Sequence, residues 1–162
     1  LPISFWVTVQ LPLSHADEVK QPEAQELQAS DQMQGLCVLL VEDNPSMRGI
    51  LKQLLELAGA QVAVAENGQV ATQMLGDTHT HYDLVLMDIQ MPVMDGLEAT
   101  RCIRQNPAHQ ALPIVALTAG GFNEDKDLCF AAGMNDYLMK PFEYKDLIEV
   151  LQRNAPSLRA KS

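Results

Sequence analysis

Residues 82–96 read YDLVLMDIQMPVMDG, and the fold of the chain turns on this stretch. Its apolar run, Leu84 to Met87, is continuous and bounded by polar residues, the pattern of a strand buried on both faces. The run ends on Asp88. A carboxylate is a poor core residue, so the strand is expected to carry Asp88 out to the end of a sheet. In an open parallel sheet the carboxyl ends of the strands are where ligands bind. Pro92 stops further pairing, and Asp95-Gly96 turns the chain into a helix beginning near Leu97.

The same grammar repeats on either side. Leu36 to Val41 is a buried strand ending on Glu42-Asp43. Asn44-Pro45-Ser46 then supplies cap chemistry for a helix carrying Met47, Ile50, Leu51, Leu54, Leu55 and Ala58 at helical spacing, and Gly59 ends it. Gln61 to Ala65 is a second strand, and Asn67-Gly68 opens a short helix through Val70, Ala71, Met74 and Leu75. Downstream, the helix Leu97 to Arg104 leads through a Pro107 and Pro113 loop to a strand, Leu112 to Leu117, ended by Thr118. A helix from about Glu124 to Ala132 stops at Gly133, and the strand Asp136 to Met139 ends on Lys140-Pro141. Asp146 to Leu151 lies in a last amphipathic helix.

Five strands alternating with five helices predict an α/β fold with a doubly wound parallel sheet and helices on both faces. Right-handed crossovers leave few topologies, the flavodoxin-like order 2-1-3-4-5 among them. Four strands end on a polar group: Glu42-Asp43, Asp88, Thr118 and Lys140. Parallel strands put all four on one edge.

Length and composition bound what this edge serves. The chain of 162 residues suggests about one domain plus extra segments. Its hydrophobic fraction of 47% and charged fraction of 20% are those of an ordinary globular protein. A net charge of −10 argues against nucleic acid and anionic membrane as partners. There is no apolar run of the roughly 20 residues that span a bilayer, and no signal peptide. Cys37, Cys102 and Cys129, odd in number and widely spaced, fit reduced thiols in a cytoplasmic protein. The chain does not open on Met and reads as a piece of something longer.

Glu42, Asp43 and Asp88 would crowd one another, since carboxylates about 4–5 Å apart repel by roughly 3–4 kcal/mol at an effective dielectric of about 20. Proton uptake, a divalent cation, or Lys140 as counter-ion would offset that. Oxygen ligands with room for water and phosphate favour magnesium over zinc or copper. Asp88 would then be a nucleophile toward phosphorus, forming an acyl phosphate. Lys140 and the Thr118 hydroxyl would contact the transferring oxygens, and the Gln90 backbone carbonyl would be a further metal ligand.

From Leu36 to Leu151 the chain resembles a response-regulator receiver domain. Glu42-Asp43 matches the family's acidic pair, Asp88 its phosphoacceptor, Thr118 its switch hydroxyl, Tyr137 its rotating aromatic, and Lys140-Pro141 its lysine followed by a cis proline. MDIQMPVMDG and AAGMNDYLMKPF look most like receivers of hybrid sensor histidine kinases. Residues 1–13, LPISFWVTVQLPL, alternate as a half-buried strand does and resemble the last strand of a kinase ATP-binding domain. Residues 14–34 read as a linker, 35–154 as the receiver and 155–162 as a tail.

The resemblance implies a magnesium-dependent phosphoacceptor module, not itself an enzyme. Its partners would be a kinase's phosphohistidine (dimerisation) domain and a histidine phosphotransfer domain, with no nucleic acid and no direct membrane contact. The expected location is the cytoplasm, with inner-membrane anchoring an option for the parent kinase. The rivals are a free-standing response regulator and a flavodoxin-like binding module that is never phosphorylated. A haloacid-dehalogenase-type phosphohydrolase needs an Asp two residues after the first, where this chain has Gln90. His79 and His81 read as solvated loop residues; His15 and His109 stand in no kinase phosphoacceptor motif. Helix methionines read as core filler, Cys102 and Cys129 as packed thiols, and Gly120-Gly121 as an unusually mobile loop.

Overall fold

The computed structural model describes residues 31–77, 79–119 and 123–155. The expected N-terminal strand, most of the expected linker, the Gly120-Gly121 segment and nearly all of the expected tail lie outside these. Strands β1 (Cys37–Val41), β2 (Gln61–Ala65), β3 (Leu84–Asp88), β4 (Ile114–Thr118) and β5 (Asp136–Met139) form one sheet in the order β2-β1-β3-β4-β5. Every pairing is parallel. The connections carry α1 (Pro45–Leu57), α2 (Gly68–Gly76), α3 (Gly96–Gln105) and α4 (Asn123–Ala132), and α5 (Tyr144–Asn154) closes the described body.

Alternation along the strands sorts side chains into two cores. Val38, Leu40, Leu84, Leu86, Val115 and Leu117 face one way, against Leu51 and Leu55 of α1 and Leu147 and Leu151 of α5. Leu39, Val41, Val85, Met87, Ile114 and Ala116 face the other, against Ala71 and Leu75 of α2, Ala99 and Ile103 of α3 and Cys129 of α4. Helices cover both faces, which is why β3 and β4 are buried at every position. Each fully buried aliphatic side chain here contributes about 1.5–3 kcal/mol over its exposed counterpart.

Local chemistry sets the boundaries. Asn44 caps α1 by accepting from the N–H groups of Ser46 and Met47, with Pro45 at the first helical position. Gly59 and Gly133 take the positive φ values that end α1 and α4. The Lys140-Pro141 peptide is cis. Single-turn 3-10 helices at Asp31–Met33 and Pro107–His109 are additions to the expected elements. Met33, read as linker, is fully buried and donates its N–H to the Ala58 carbonyl; Ala155, read as tail, is also buried.

Two expectations about packing are corrected. Cys102 is exposed, because the buried stripe of α3 runs through Gly96, Ala99, Thr100 and Ile103 and misses position 102. On α1, Met47 is 36% and Ile50 53% exposed, so the apolar stripe is wider than the face the sheet covers, and Met47 is no core filler.

The turn between β3 and α3 holds one strained residue. Val93 has φ of 71°, which a β-branched side chain adopts only at a cost, and the Met94 N–H donates to the Pro92 carbonyl across it. Val93 is 75% exposed, so Val93→Gly forfeits little packing. Relief of strain is expected to outweigh the added freedom of the unfolded chain, raising stability by up to about 1 kcal/mol. A denaturant titration in which Val93→Gly unfolds earlier than wild type would contradict this.

Candidate functional site at the carboxyl edge of the sheet

Register brings the acids together. Val41 pairs with Met87, so Glu42 and Asp88 follow at the same height on adjacent strands, while Thr118 ends β4 beside Met139 of β5. One residue beyond β5, the Lys140 N–H donates to the Thr118 carbonyl at 2.6 Å. Its ammonium reaches back over the edge to Glu42 Oε2 at 2.7 Å and Asp88 Oδ2 at 3.1 Å. These partners lie 98 and 52 residues away in sequence.

Asp88 is 7% exposed and Glu42 2%, so both carboxylates sit in a largely covered cleft. Each is oriented twice, by Lys140 and by a backbone donor: Asn44 N–H to Glu42 Oε1 and Gln90 N–H to Asp88 Oδ1, both at 3.3 Å. Burial pushes the Glu42 carboxyl above the usual carboxylate range. The Lys140 hydrogen bond opposes that shift and the Asp88 charge adds to it, and a single ammonium shared between two acids does not cancel the loss of water. For Lys140, burial works to lower the pKa, but the bonds and charges of Glu42 and Asp88 outweigh it and hold the ammonium above its ordinary value.

Asp43 stands apart. It is half-buried, and among the described residues its carboxylate has no hydrogen bond or ion pair. Yet it joins Glu42 and Asp88 in a cluster whose ligand atoms all lie within 4.8 Å of one another. Three carboxylates face one ammonium, and every donor is a hard oxygen. That set fits a small divalent cation such as magnesium and offers no soft or nitrogen ligand.

Thr118 is buried beside this cleft, and Tyr137 on β5 is half-buried, facing α4. Lys126 Nζ lies 4.5 Å from the Tyr137 ring centroid, and Phe130 meets the ring edge-on at 6.3 Å. Gln90 is exposed at the cleft rim. A cavity of about 470 Å³ opens at the other end of the sheet, lined by residues that include Tyr82, Asp83, His109 and Pro113 and by none of the clustered acids.

The sequence marks Gly96 only as a turn residue and gives Arg48 no role at the site. Gly96 lies so close to β3 that a Cβ there would meet the Asp88 carbonyl oxygen at 2.2 Å. Arg48 donates from Nη1 to the carbonyls of Glu42 and Asp43. A cation in the first turn of a helix opposes the helix dipole, and that was the available signal.

Residues 38–152 match the family model described as the response regulator receiver domain. The chain belongs to this family. The receiver is a module of two-component signalling. It is 43% identical over 117 residues to Sensor protein GacS of Pseudomonas syringae pv. syringae, a match covering 70% of this chain and 13% of that protein. It is 45% identical over 118 residues to the two-component response regulator ORR41 of Oryza sativa subsp. japonica, covering 72% of this chain and 91% of that one. The chain spans only 4–13% of the length of the sensor and hybrid kinases it matches. Among solved structures, the receiver domain of sensor histidine kinase PA1611 from Pseudomonas aeruginosa PAO1 has a magnesium ion coordinated in its active-site cleft. It aligns with a TM-score of 0.69 at 41% identity, covering 74% of this chain and 97% of that one. A yeast receiver domain, that of Ssk1 of Saccharomyces cerevisiae in complex with the histidine phosphotransfer protein Ypd1, aligns at 0.68 and 32% identity, covering 74% and 88%. Among the described residues no helix is long and apolar enough to cross a membrane.

An acid with no partner among the described residues at such a site predicts a conflict between stability and binding. Asp43→Asn removes one repelling charge and, among the described residues, no hydrogen bond, so the metal-free protein is expected to gain about 0.5–2 kcal/mol. Wild type should gain about 1.4 kcal/mol from magnesium at ten times its dissociation constant, and the variant much less. Thermal melts of both proteins with and without magnesium, at fixed ionic strength, measure this. Lower metal-free stability in Asp43→Asn would make the carboxylate a structural acceptor.

Proposed function

We propose that this receiver accepts a phosphoryl group on Asp88 from a phosphohistidine and passes it to a histidine phosphotransfer domain. An Asp88 carboxylate oxygen attacks the phosphorus, the P–N bond breaks, and the imidazole leaves as an acyl phosphate forms. Lys140 is placed to neutralise a phosphoryl oxygen, and the Thr118 hydroxyl to donate to another. Glu42, Asp43, Asp88 and the Gln90 carbonyl would hold magnesium, which when bound supplies charge neutralisation to the phosphoryl oxygens. Thr118 then moves toward the phosphoryl group, and Tyr137 leaves its contacts with α4 to fill the space, a two-state repacking biased by new charge.

The observation that carries this reading is the ammonium of Lys140 bridging Glu42 and Asp88 while Asp43, in the same cluster, stays unpaired among the described residues. The magnesium-bound PA1611 receiver supports the metal, and the Ypd1–Ssk1 complex supports the phosphotransfer partner. The sensor-kinase relatives support a hybrid histidine kinase as the parent, with residues 1–13 as the last strand of its ATP-binding domain, 14–34 as linker and 155–162 as tail. In that arrangement the module works in the cytoplasm and is a phosphoacceptor, the kinase activity belonging to the parent. The rice regulator, of which this chain covers 91%, favours a free-standing response regulator as the second reading. The test is incubation with acetyl phosphate and magnesium followed by intact mass. One phosphoryl group is expected, and an unmodified chain would reject the proposal.

A further inference from the structure

The three acids of the cleft are not held alike. Glu42 is oriented by Lys140 and the Asn44 N–H, and Asp88 by Lys140 and the Gln90 N–H. Asp43 has no side-chain partner among the described residues, so within the protein its backbone, which sets the Cα–Cβ direction, is what limits where its carboxylate can reach. That backbone lies in the short link between β1 and α1, where the Asn44 N–H bond to Glu42 Oε1, at 3.3 Å, holds only the N–H edge of the plane after Asp43.

Arg48 holds the carbonyls. Nη1 donates to the Glu42 carbonyl at 2.7 Å and to the Asp43 carbonyl at 3.2 Å. The first carbonyl belongs to the peptide plane before the Asp43 Cα and the second to the plane after it. Anchoring both to one nitrogen limits φ and ψ of Asp43 together, and so the direction of its Cα–Cβ bond. Arg48 is itself anchored, because its own N–H donates to the carbonyl of Asn44, the cap of α1. The clamp therefore ties the Asp43 backbone to the first turn of α1.

We infer that Arg48 is a positioning residue for the metal site, aiming the otherwise unheld Asp43 carboxylate at the cation. The inference rests on the metal-site reading above. It makes a prediction whose sign separates positioning from charge. Arg48 is a cation whose Nη1 lies on the carbonyls of Glu42 and Asp43, so by Coulomb repulsion of the metal alone its removal would tighten magnesium binding. If it positions Asp43, removal weakens binding, and groups that orient metal ligands typically change affinity by about 10–100-fold.

The experiment is a magnesium titration of metal-free protein at fixed ionic strength, followed by amide resonances, for wild type, Arg48→Met, Arg48→Lys and Asp43→Asn. Arg48→Met is expected to bind about tenfold more weakly or worse. Arg48→Lys, which keeps one nitrogen able to donate to both carbonyls, is expected to recover part of that loss. Unchanged or tighter binding by Arg48→Met overturns the inference, as does equal weakness of the Lys and Met variants. A metal-free melt of each variant checks folding, and if Arg48→Met does not fold, Arg48→Gln replaces it in the comparison with Arg48→Lys. Magnesium affinity unaffected by Asp43→Asn would overturn the metal site itself, and this inference with it.

Discussion

Phosphoryl incorporation from acetyl phosphate with magnesium should fall to background in Asp88→Asn, a loss on the order of a thousandfold or more in rate. An amide is not a nucleophile at neutral pH and is a poor ligand for a hard cation. The substitution would also leave Lys140 on Glu42 alone, so the fold should not suffer. One member of a repelling buried pair loses its charge while the ammonium keeps its shorter contact, 2.7 Å to Glu42 against 3.1 Å to Asp88. The variant is therefore expected to melt no lower than wild type, which separates lost chemistry from lost structure. In wild type the adduct should be labile to base and to hydroxylamine, as an acyl phosphate is. Intact mass, with and without hydroxylamine, reads all of this. An adduct that persists in Asp88→Asn would move the acceptor to another residue and remove the central claim.

The second large effect falls on a residue with no side chain. In Gly96→Ala the new Cβ would sit 2.2 Å from the Asp88 carbonyl oxygen and 3.0 Å from Asp88 C and Ile89 Cα, all of them backbone atoms that cannot step aside. Gly96 donates its N–H to the Ile89 carbonyl at 2.9 Å, so the first turn of α3 rests directly on the end of β3. Relief requires α3 to back away, losing part of the contact of Ala99 and Ile103 with the sheet, or the Asp88 backbone to tilt. Destabilisation of about 3 kcal/mol or more is expected, a fall in melting temperature on the order of 10 °C. Any protein that remains folded should also phosphorylate more slowly, since the displaced atoms carry Asp88. Gly49→Ala is the control: it lies within α1 with open space around it, and should gain about 0.5–1 kcal/mol from helix propensity. Equal melting temperatures for Gly96→Ala and wild type would show that the close approach is not part of the folded structure.

The elements and their order were legible because their causes are local. Continuous apolar runs such as Leu84–Met87 mark strands covered on both faces, and β2 and β5 begin and end where their patterns do. Asn44, Gly59 and Gly133 mark helix ends through cap hydrogen bonds and positive φ, each a property of a few neighbouring residues. Parallel strands and right-handed crossovers then leave few arrangements, so polar residues at four strand ends were expected on one edge. Periodicity was a weaker guide to burial, since a stripe states which side of a helix turns inward but not how far the sheet extends beneath it. That is why Met47 and Ile50 emerged exposed, and why Cys102 fell one position off the buried stripe of α3.

Contacts between distant parts of the chain needed the tertiary structure. Whether Lys140 pairs with Glu42, Asp43 or Asp88 depends on register across β1, β3, β4 and β5, and a shift of one residue would change the answer. The same holds for the lack of a partner for Asp43 among the described residues, the grip of Arg48 on two carbonyls and the approach of Gly96 to Asp88. Residue types and spacing determined which groups this protein brings to the edge of its sheet. Which of those groups hold one another was decided only by packing, because hydrogen bonds and backbone contacts act over about 3 Å and no sequence pattern measures that distance.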